Sequence, residues 1–154
     1  MGGIDQPVDR PTNSLGLSTK LLTYEGKVNN HPASILIDGG SMGDFISVKL
    51  VENLALETRD VAAFSILFPN GDTSPCNKET IATYLRLQEH EEKIHLKVVP
   101  LPHHDIILGK PWLAKWNPLI DWRTNQIEIQ EEKKKVVINH ISSHVDPSLP
   151  VKKF

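Results

Sequence analysis

Residues 35–41 read Ile-Leu-Ile-Asp-Gly-Gly-Ser, so three aliphatic residues lead directly into Asp38 and two glycines. A short apolar run that ends at glycines is typical of a buried β-strand followed by a tight turn. The carboxyl group of Asp38 is therefore expected at the edge of the core. An ionised carboxylate without partners is costly to remove from water, so this placement favours a functional role for Asp38.

A second segment of the same kind spans residues 105–109, Asp-Ile-Ile-Leu-Gly. Its apolar run is too short for a helix and ends at Gly109, and Pro111 then suits the first turn of a helix that extends to Trp116. After the first segment, residues 47–54 also have helical spacing, with Ser47 as the capping residue. An apolar strand, a glycine and a short helix thus occur twice, which is an internal repeat.

The rest of the chain reads mainly as β-strands joined by polar turns. Strands are predicted over residues 21–28, 33–37, 44–47, 63–68, 81–87, 94–98, 106–108 and 126–129, with 136–138 as a further edge strand. The predicted turns include Asn29–Pro32, the Asn70-Gly71 step and the charged segment Gln88–Lys93. The pattern predicts an all-β, mainly antiparallel domain with one or two short helices.

Length and composition restrict the class of protein. The chain has 154 residues, of which 39% are hydrophobic, and this is enough for one domain with a core. Its net charge of -2 gives no electrostatic basis for binding nucleic acid or an anionic membrane, and no stretch approaches the roughly 20 apolar residues of a membrane span. We predict a flexible lead-in over residues 1–17, a folded domain over 18–130 and a linker over 131–154.

Other residue types offer weak support for a metal or cofactor site. Cys76 is the only cysteine, which excludes a disulfide framework and a Cys-rich zinc site. His140 and His144 have helical spacing without a helix signal, and His103-His104 lie in a predicted turn. We therefore predict neither a metal nor a cofactor. Asp44, Asp105 and Asp121 are predicted to be structural or surface carboxylates.

Three segments resemble a known protein family. They are Asp38-Gly39-Gly40-Ser41 after an apolar strand, Ile107-Leu108-Gly109 before a short helix, and a tryptophan-rich tail from Trp112 to Trp122. From about residue 20 to 130, the chain resembles the retropepsin-type aspartic protease of gypsy-class LTR retrotransposon polyproteins. The resemblance implies a closed, acid-protease-like barrel and a cytoplasmic location, including virus-like particles.

The resemblance also implies an aspartic endopeptidase that cleaves extended segments of a Gag-Pol-like polyprotein. Hydrolysis without a metal needs one carboxylate that takes a proton from water and a second, protonated one that polarises the carbonyl group. Because the chain has one such motif, the pair would form in a homodimer around a twofold axis. The implied residues are catalytic Asp38; Gly39, Gly40 and Ser41 in the active-site loop; Asn70, Gly71 and Asp72 in a flap; and Ile107, Leu108 and Gly109 as loop support.

Gly39 departs from the family pattern, which has Ser or Thr at this position. That hydroxyl normally bonds across the dimer, so its absence is expected to loosen the dimer or the geometry of the paired carboxylates. Ser41 is expected to compensate by donating a hydrogen bond to Asp38. The departure leaves a second interpretation open, in which the chain is a weakly active or inactive retropepsin-like module for dimerisation or peptide binding.

A third interpretation comes from Gly39–Gly43, which matches the G-x-S-x-G motif of serine hydrolases with Ser41 as the nucleophile. Asp105 or Asp121, followed by His140 or His144, occur in the required order. However, an α/β-hydrolase needs alternating strands and helices around a parallel sheet. The hairpin-like pattern before Ser41 argues against that fold.

Overall fold

The computed structural model describes residues 21–67 and 70–140, which form twelve strands and two short helices. The all-β, mainly antiparallel prediction is confirmed. The lead-in predicted over residues 1–17 and residues 141–154 of the predicted linker lie outside the described residues, as do Phe68 and His144. No helix in the described part of the chain is long and apolar enough to cross a membrane.

The strands form two sheets. The strands are β1 (Thr23–Val28), β2 (His31–Ile37), β3 (Phe45–Ser47), β4 (Thr58–Leu67), β5 (Thr73–Thr80), β6 (Thr83–Leu87), β7 (His90–Ile94), β8 (Lys97–Val99), β9 (Ile106–Leu108), β10 (Leu119–Asp121), β11 (Gln126–Gln130) and β12 (Lys135–Ile138); the helices are α1 (Val48–Leu54) and α2 (Lys110–Trp116). One sheet of nine strands, in the order β4-β5-β8-β3-β9-β2-β1-β6-β7, curls into a half-barrel. The other has the order β10-β11-β12.

The two halves of the internal repeat meet at the centre of the large sheet. Strand β9 pairs in parallel with β2, with Ile106 opposite Ile35 and Leu108 opposite Ile37. All four of these side chains are buried in the core. Because parallel strands point the same way, Asp38 after β2 and Gly109 after β9 leave the sheet at the same end.

Local sequence accounts well for the first hairpin and for the start of α1. Asn29 and Asn30 both have positive φ, as a two-residue hairpin turn requires, so His31 and Pro32 belong to β2 rather than to the turn. Ser47 caps α1 as predicted, because its Oγ accepts the N–H of Leu50 at 3.0 Å.

The middle of the chain differs from the predicted strands. Strand β5 was not predicted, because its polar sequence with Pro75 lacks an alternating apolar pattern. The predicted turn over Gln88–Lys93 is wrong beyond Glu89: β7 begins at His90 and pairs with β6. The predicted strand over residues 94–98 is divided between two strands, since Ile94 ends β7 and the chain then crosses to β8 beside β3.

The small sheet extends the packed part of the chain past residue 130, where the sequence placed the end of the domain. Strand β12 pairs with β11, and Val136 and Ile138 are buried in the same core cluster as Trp112. Their alternation with outward-facing Lys135 and Val137 is the pattern of a half-buried strand. Strand β10 completes the sheet and was not predicted.

Candidate active site

Asp38 is the first residue after β2, and the end of β9 fixes its backbone. Its N–H donates to the carbonyl oxygen of Leu108 at 2.9 Å, and its own carbonyl oxygen accepts the N–H of Ser41 at 3.0 Å. The first bond joins the two parallel strands and the second closes a tight turn. The Asp38 loop, residues 38–44, thus leaves the sheet at a point that both halves of the repeat determine.

The carboxyl group of Asp38 lies at the surface and is oriented by its own loop. The N–H of Gly40 donates to Asp38 Oδ1 at 2.9 Å. Asp38 is half-buried, whereas Gly39 and Gly40 beside it are exposed. The loop therefore presents an oriented carboxyl group that a molecule from outside can reach.

Ser41 does not make the hydrogen bond that the sequence suggested. Its hydroxyl donates to the carbonyl oxygen of Gly43 at 2.8 Å, within the same turn. A serine hydroxyl has one hydrogen to donate, so the predicted bond from Ser41 to Asp38 is wrong. Ser41 instead stabilises the second half of the loop.

Asp44 ends the loop and caps α2 from a distance of 65 residues along the chain. Gly109 occupies the N-cap position of α2 and has no side chain that could cap it. Asp44 Oδ1 accepts the N–H of Gly109 at 2.8 Å, and the backbone N–H of Trp112 faces the same carboxyl group. Burial raises the pKa of Asp44, and these two backbone N–H groups only partly offset the rise. The structural role predicted for Asp44 is confirmed, and it fastens the Asp38 loop to α2.

The segment Ile107–Gly109 lies directly against the loop. Lys110, the next residue, donates its N–H to the carbonyl oxygen of Ser41 at 2.8 Å. A Cβ atom at Gly109 would lie 2.3 Å from the carbonyl oxygen of Gly43 and 2.5 Å from that of Ser41. Only glycine permits this approach of two backbone segments, which explains the glycine at this position.

Asn70, Gly71 and Asp72 lie at the tip of the β4–β5 hairpin. Asp72 donates its N–H to Asn70 Oδ1 at 2.9 Å, and Gly71 has a φ of 91°, which favours glycine. The tip is therefore built for a sharp, exposed turn. Strand β5 follows this tip and is separated by β8 from β3, the strand that follows the Asp38 loop. The flap role of the three residues stays a prediction.

The residues of the serine-hydrolase interpretation are not brought together. Asp105 accepts the N–H of Ser34 at 2.9 Å, and Asp121 accepts that of Arg123 at 2.9 Å in a surface turn. His140 bonds to the carbonyl oxygen of Leu21, while the Ser41 hydroxyl is bonded to Gly43. Among the described residues of this interpretation, none form a Ser-His-Asp arrangement, although they occur in the required order along the chain.

Metal binding receives no support within residues 21–67 and 70–140, where no group of three or more His, Cys, Asp or Glu side chains could hold an ion.

One buried titratable cluster was missed by the sequence analysis. It surrounds His90, which is fully buried. Strand β7 reads His-Glu-Glu-Lys-Ile, which has no alternating apolar pattern, so the sequence carries no local signal for the burial of His90.

Comparison with known proteins agrees with this geometry. Residues 34–136 match the family model described as the PEG10/RTL1 protease domain. The fold is similar to the retroviral protease-like domain of Ddi1 from Leishmania major, with a TM-score of 0.63, 13% identity, and coverage of 82% of this chain and 98% of that chain. It is also similar to EIAV protease, solved with the inhibitor HBY-793, with a TM-score of 0.50, 20% identity, and coverage of 68% and 93%. Among curated proteins, none matches the sequence significantly.

Proposed function

Because this chain belongs to the PEG10/RTL1 protease domain family, we propose that it is an aspartic endopeptidase of the retropepsin type. The observation that carries the proposal is the placement of Asp38. Its carboxyl group is oriented by Gly40 at 2.9 Å, on a loop that the ends of β2 and β9 position in a retropepsin-like fold. The exposed glycines beside it leave room for a peptide.

Catalysis would require a second copy of the chain. One Asp38 supplies a single carboxyl group, whereas peptide hydrolysis without a metal needs a base for water and an acid for the carbonyl oxygen. Two carboxyl groups about 3 Å apart cannot both ionise and so share one proton, which provides both functions. In a homodimer, Asp38 and its symmetry copy would form this pair.

Exposed apolar side chains on the small sheet offer a surface for the second copy. Leu119 and Val137 lie on either side of Glu128 in the register of β10, β11 and β12, and they are 70% and 36% exposed. Trp122, directly after β10, is 72% exposed. Tryptophan is enriched at protein interfaces, and a twofold contact would cover all three side chains in both copies.

The substrate we propose is an extended peptide segment of a Gag-Pol-like polyprotein. Asn70, Gly71 and Asp72 would close over it as a flap, since the glycine gives the hairpin tip its conformational freedom. Met42, in the Asp38 loop, is 82% exposed and could contact an apolar side chain of the peptide. The cytoplasm is the compartment we propose.

Asp38→Asn tests the proposal. The amide retains the shape of the side chain and can accept the N–H of Gly40, so the fold and the dimer should persist while peptide cleavage is lost. The assay is pepstatin-sensitive cleavage of a polyprotein junction peptide across pH 4 to 7, with the molecular mass measured by sedimentation. Cleavage that survives in the variant would contradict the proposal.

Gly39 supports the second candidate, a retropepsin-like dimerisation or peptide-binding module without effective catalysis. Its backbone has space for a side chain, because a Cβ there would meet only Leu113 Cδ1 at 3.9 Å. Packing would therefore allow a Ser or Thr side chain at this position, so the fold does not account for the absence of the hydroxyl. Peptide binding and dimerisation without turnover in the wild-type protein would favour this candidate.

A further inference from the structure

His90 lies between two carboxylates in the core, remote in sequence from Asp38. Its Nδ1 is 2.5 Å from Glu131 Oε2, and its Nε2 is 2.7 Å from Glu92 Oε2. The ring packs edge-on against Trp116, with 4.5 Å between centroids, and against Trp112 at 6.2 Å. His90 has no exposed surface, and Glu92 is almost as deeply buried.

The hydrogen-bond chemistry determines the charge of this ring. Ionised carboxylates only accept hydrogen bonds, and a neutral imidazole has one N–H to donate. Both contacts are therefore satisfied only when His90 is an imidazolium. Lys115 lies 3.6 Å from Glu92 Oε1, and the carboxyl group of Asp44 also acts on the charge of Glu92. Helix α2 otherwise presents the uncharged rings of Trp112 and Trp116 to His90.

The His90 cluster is connected to the Asp38 loop through one residue, Trp112. The indole N–H of Trp112 donates to Glu92 Oε2 at 2.8 Å, and its backbone N–H, in the first turn of α2, faces the carboxyl group of Asp44. Asp44 accepts the N–H of Gly109, the N-cap residue of the same helix, at 2.8 Å. The connection thus runs from His90 to Glu92 and Trp112, and through the first turn of α2 to Asp44 at the end of the loop.

We propose that His90 is a positioning residue: as an imidazolium between Glu92 and Glu131, it fixes α2 and, through Trp112 and Asp44, the placement of the Asp38 loop. Its effect on cleavage rests on the proposed function, whereas its effect on the loop does not. When His90 loses its proton, one of the two contacts is lost and Glu92 stays buried with Lys115 as its remaining charged partner. The contacts that hold α2 in place are then weakened.

The pH range in which the His90 cluster is intact follows from the pKa shifts of His90 and Glu92. Burial would lower the pKa of His90, but the hydrogen bonds and charges of Glu92 and Glu131 outweigh it and raise the pKa above 6.5. Burial would raise the pKa of Glu92, but the bonds from His90 and Trp112 bring it below 4.5. The contribution of His90 to the stability of the fold is complete below pH 6.5 and is lost as pH rises through the folded-state pKa of His90. The contribution of Glu92 to the stability of the fold is complete above pH 4.5 and is lost as pH falls through the folded-state pKa of Glu92.

The test follows the loop directly by NMR between pH 6 and 9 in the whole chain. The imidazole of His90 and the backbone amides of Gly40 and Gly109 should titrate with the same midpoint. Glu131→Gln removes one charge beside His90 while keeping an oxygen that can accept its hydrogen bond. This variant should lower all three midpoints together by about one pH unit, the effect typical of an adjacent opposite charge. The control is His103→Gln, at an exposed histidine, which should leave them unchanged.

Glycine amides that do not follow His90 in the wild-type protein would overturn the proposal, and this measurement needs no variant. A lowered midpoint for His90 alone in Glu131→Gln would also overturn it, since the cluster would then stabilise only α2. In the cleavage assay, the alkaline limb of activity should move with the glycine midpoints. A complete lack of cleavage at every pH would count against the proposed protease function, while the amide titration would still decide the role of His90.

Discussion

Replacement of Asp44 by alanine should destabilise the domain although Asp44 is outside the sheet. The variant removes the carboxyl group that accepts the N–H of Gly109 at 2.8 Å and that the N–H of Trp112 also faces, both at the start of α2. A buried donor left without a partner costs about 1–3 kcal/mol, and loss of a helix cap costs about 1 kcal/mol. Asp44 is half-buried, so we expect a loss of about 2–3 kcal/mol in the free energy of unfolding. Asp44→Asn keeps one oxygen acceptor and avoids burying a charge, so it should cost about 1 kcal/mol.

Urea unfolding monitored by tryptophan fluorescence measures this difference, because Trp112 and Trp116 lie in the affected helix. Asp121→Ala is the matched control: Asp121 also accepts two backbone N–H groups, from Arg123 and Thr124, but in a surface turn. Its replacement should change stability by no more than about 0.5 kcal/mol. Equal losses for the alanine variants of Asp44 and Asp121 would refute the reasoning that the long-range cap is what matters.

Two glycines give opposite expectations. Gly109→Ala should destabilise the domain by about 3 kcal/mol, because its Cβ would lie 2.3 Å from the carbonyl oxygen of Gly43. A urea midpoint equal to that of the wild type would contradict this close backbone contact. Gly39→Ser should fold with wild-type stability, since the new Cβ would meet only Leu113 at 3.9 Å. The added hydroxyl should lower the dissociation constant of the proposed dimer about fivefold for each hydrogen bond that it forms. Sedimentation equilibrium measures the dimer constant, and an unchanged value would exclude the missing hydroxyl as the cause of a weak dimer.

Much of the fold could be predicted because its signals are local. The apolar run before Asp38, its counterpart before Gly109 and the Asn70-Gly71 turn each depend on a few neighbouring residues. Strand β5 could not be predicted, because its polar residues are strand-forming only when β4 and β8 pair with it. His90 was assigned to a turn for a similar reason: its burial depends on Glu131, which is 41 residues away.

The sequence by itself determined the two apolar strands, the turns that end them and the single carboxyl group that one turn presents, because these follow from short-range periodicity and glycine geometry. Tertiary structure decided which hydrogen bonds join the parts. Asp44 caps a helix 65 residues away, and the hydroxyl of Ser41 turns to Gly43 rather than to Asp38. The partner in each hydrogen bond is the donor or acceptor that lies within reach after the chain has packed, and no local sequence pattern predicts that donor–acceptor distance.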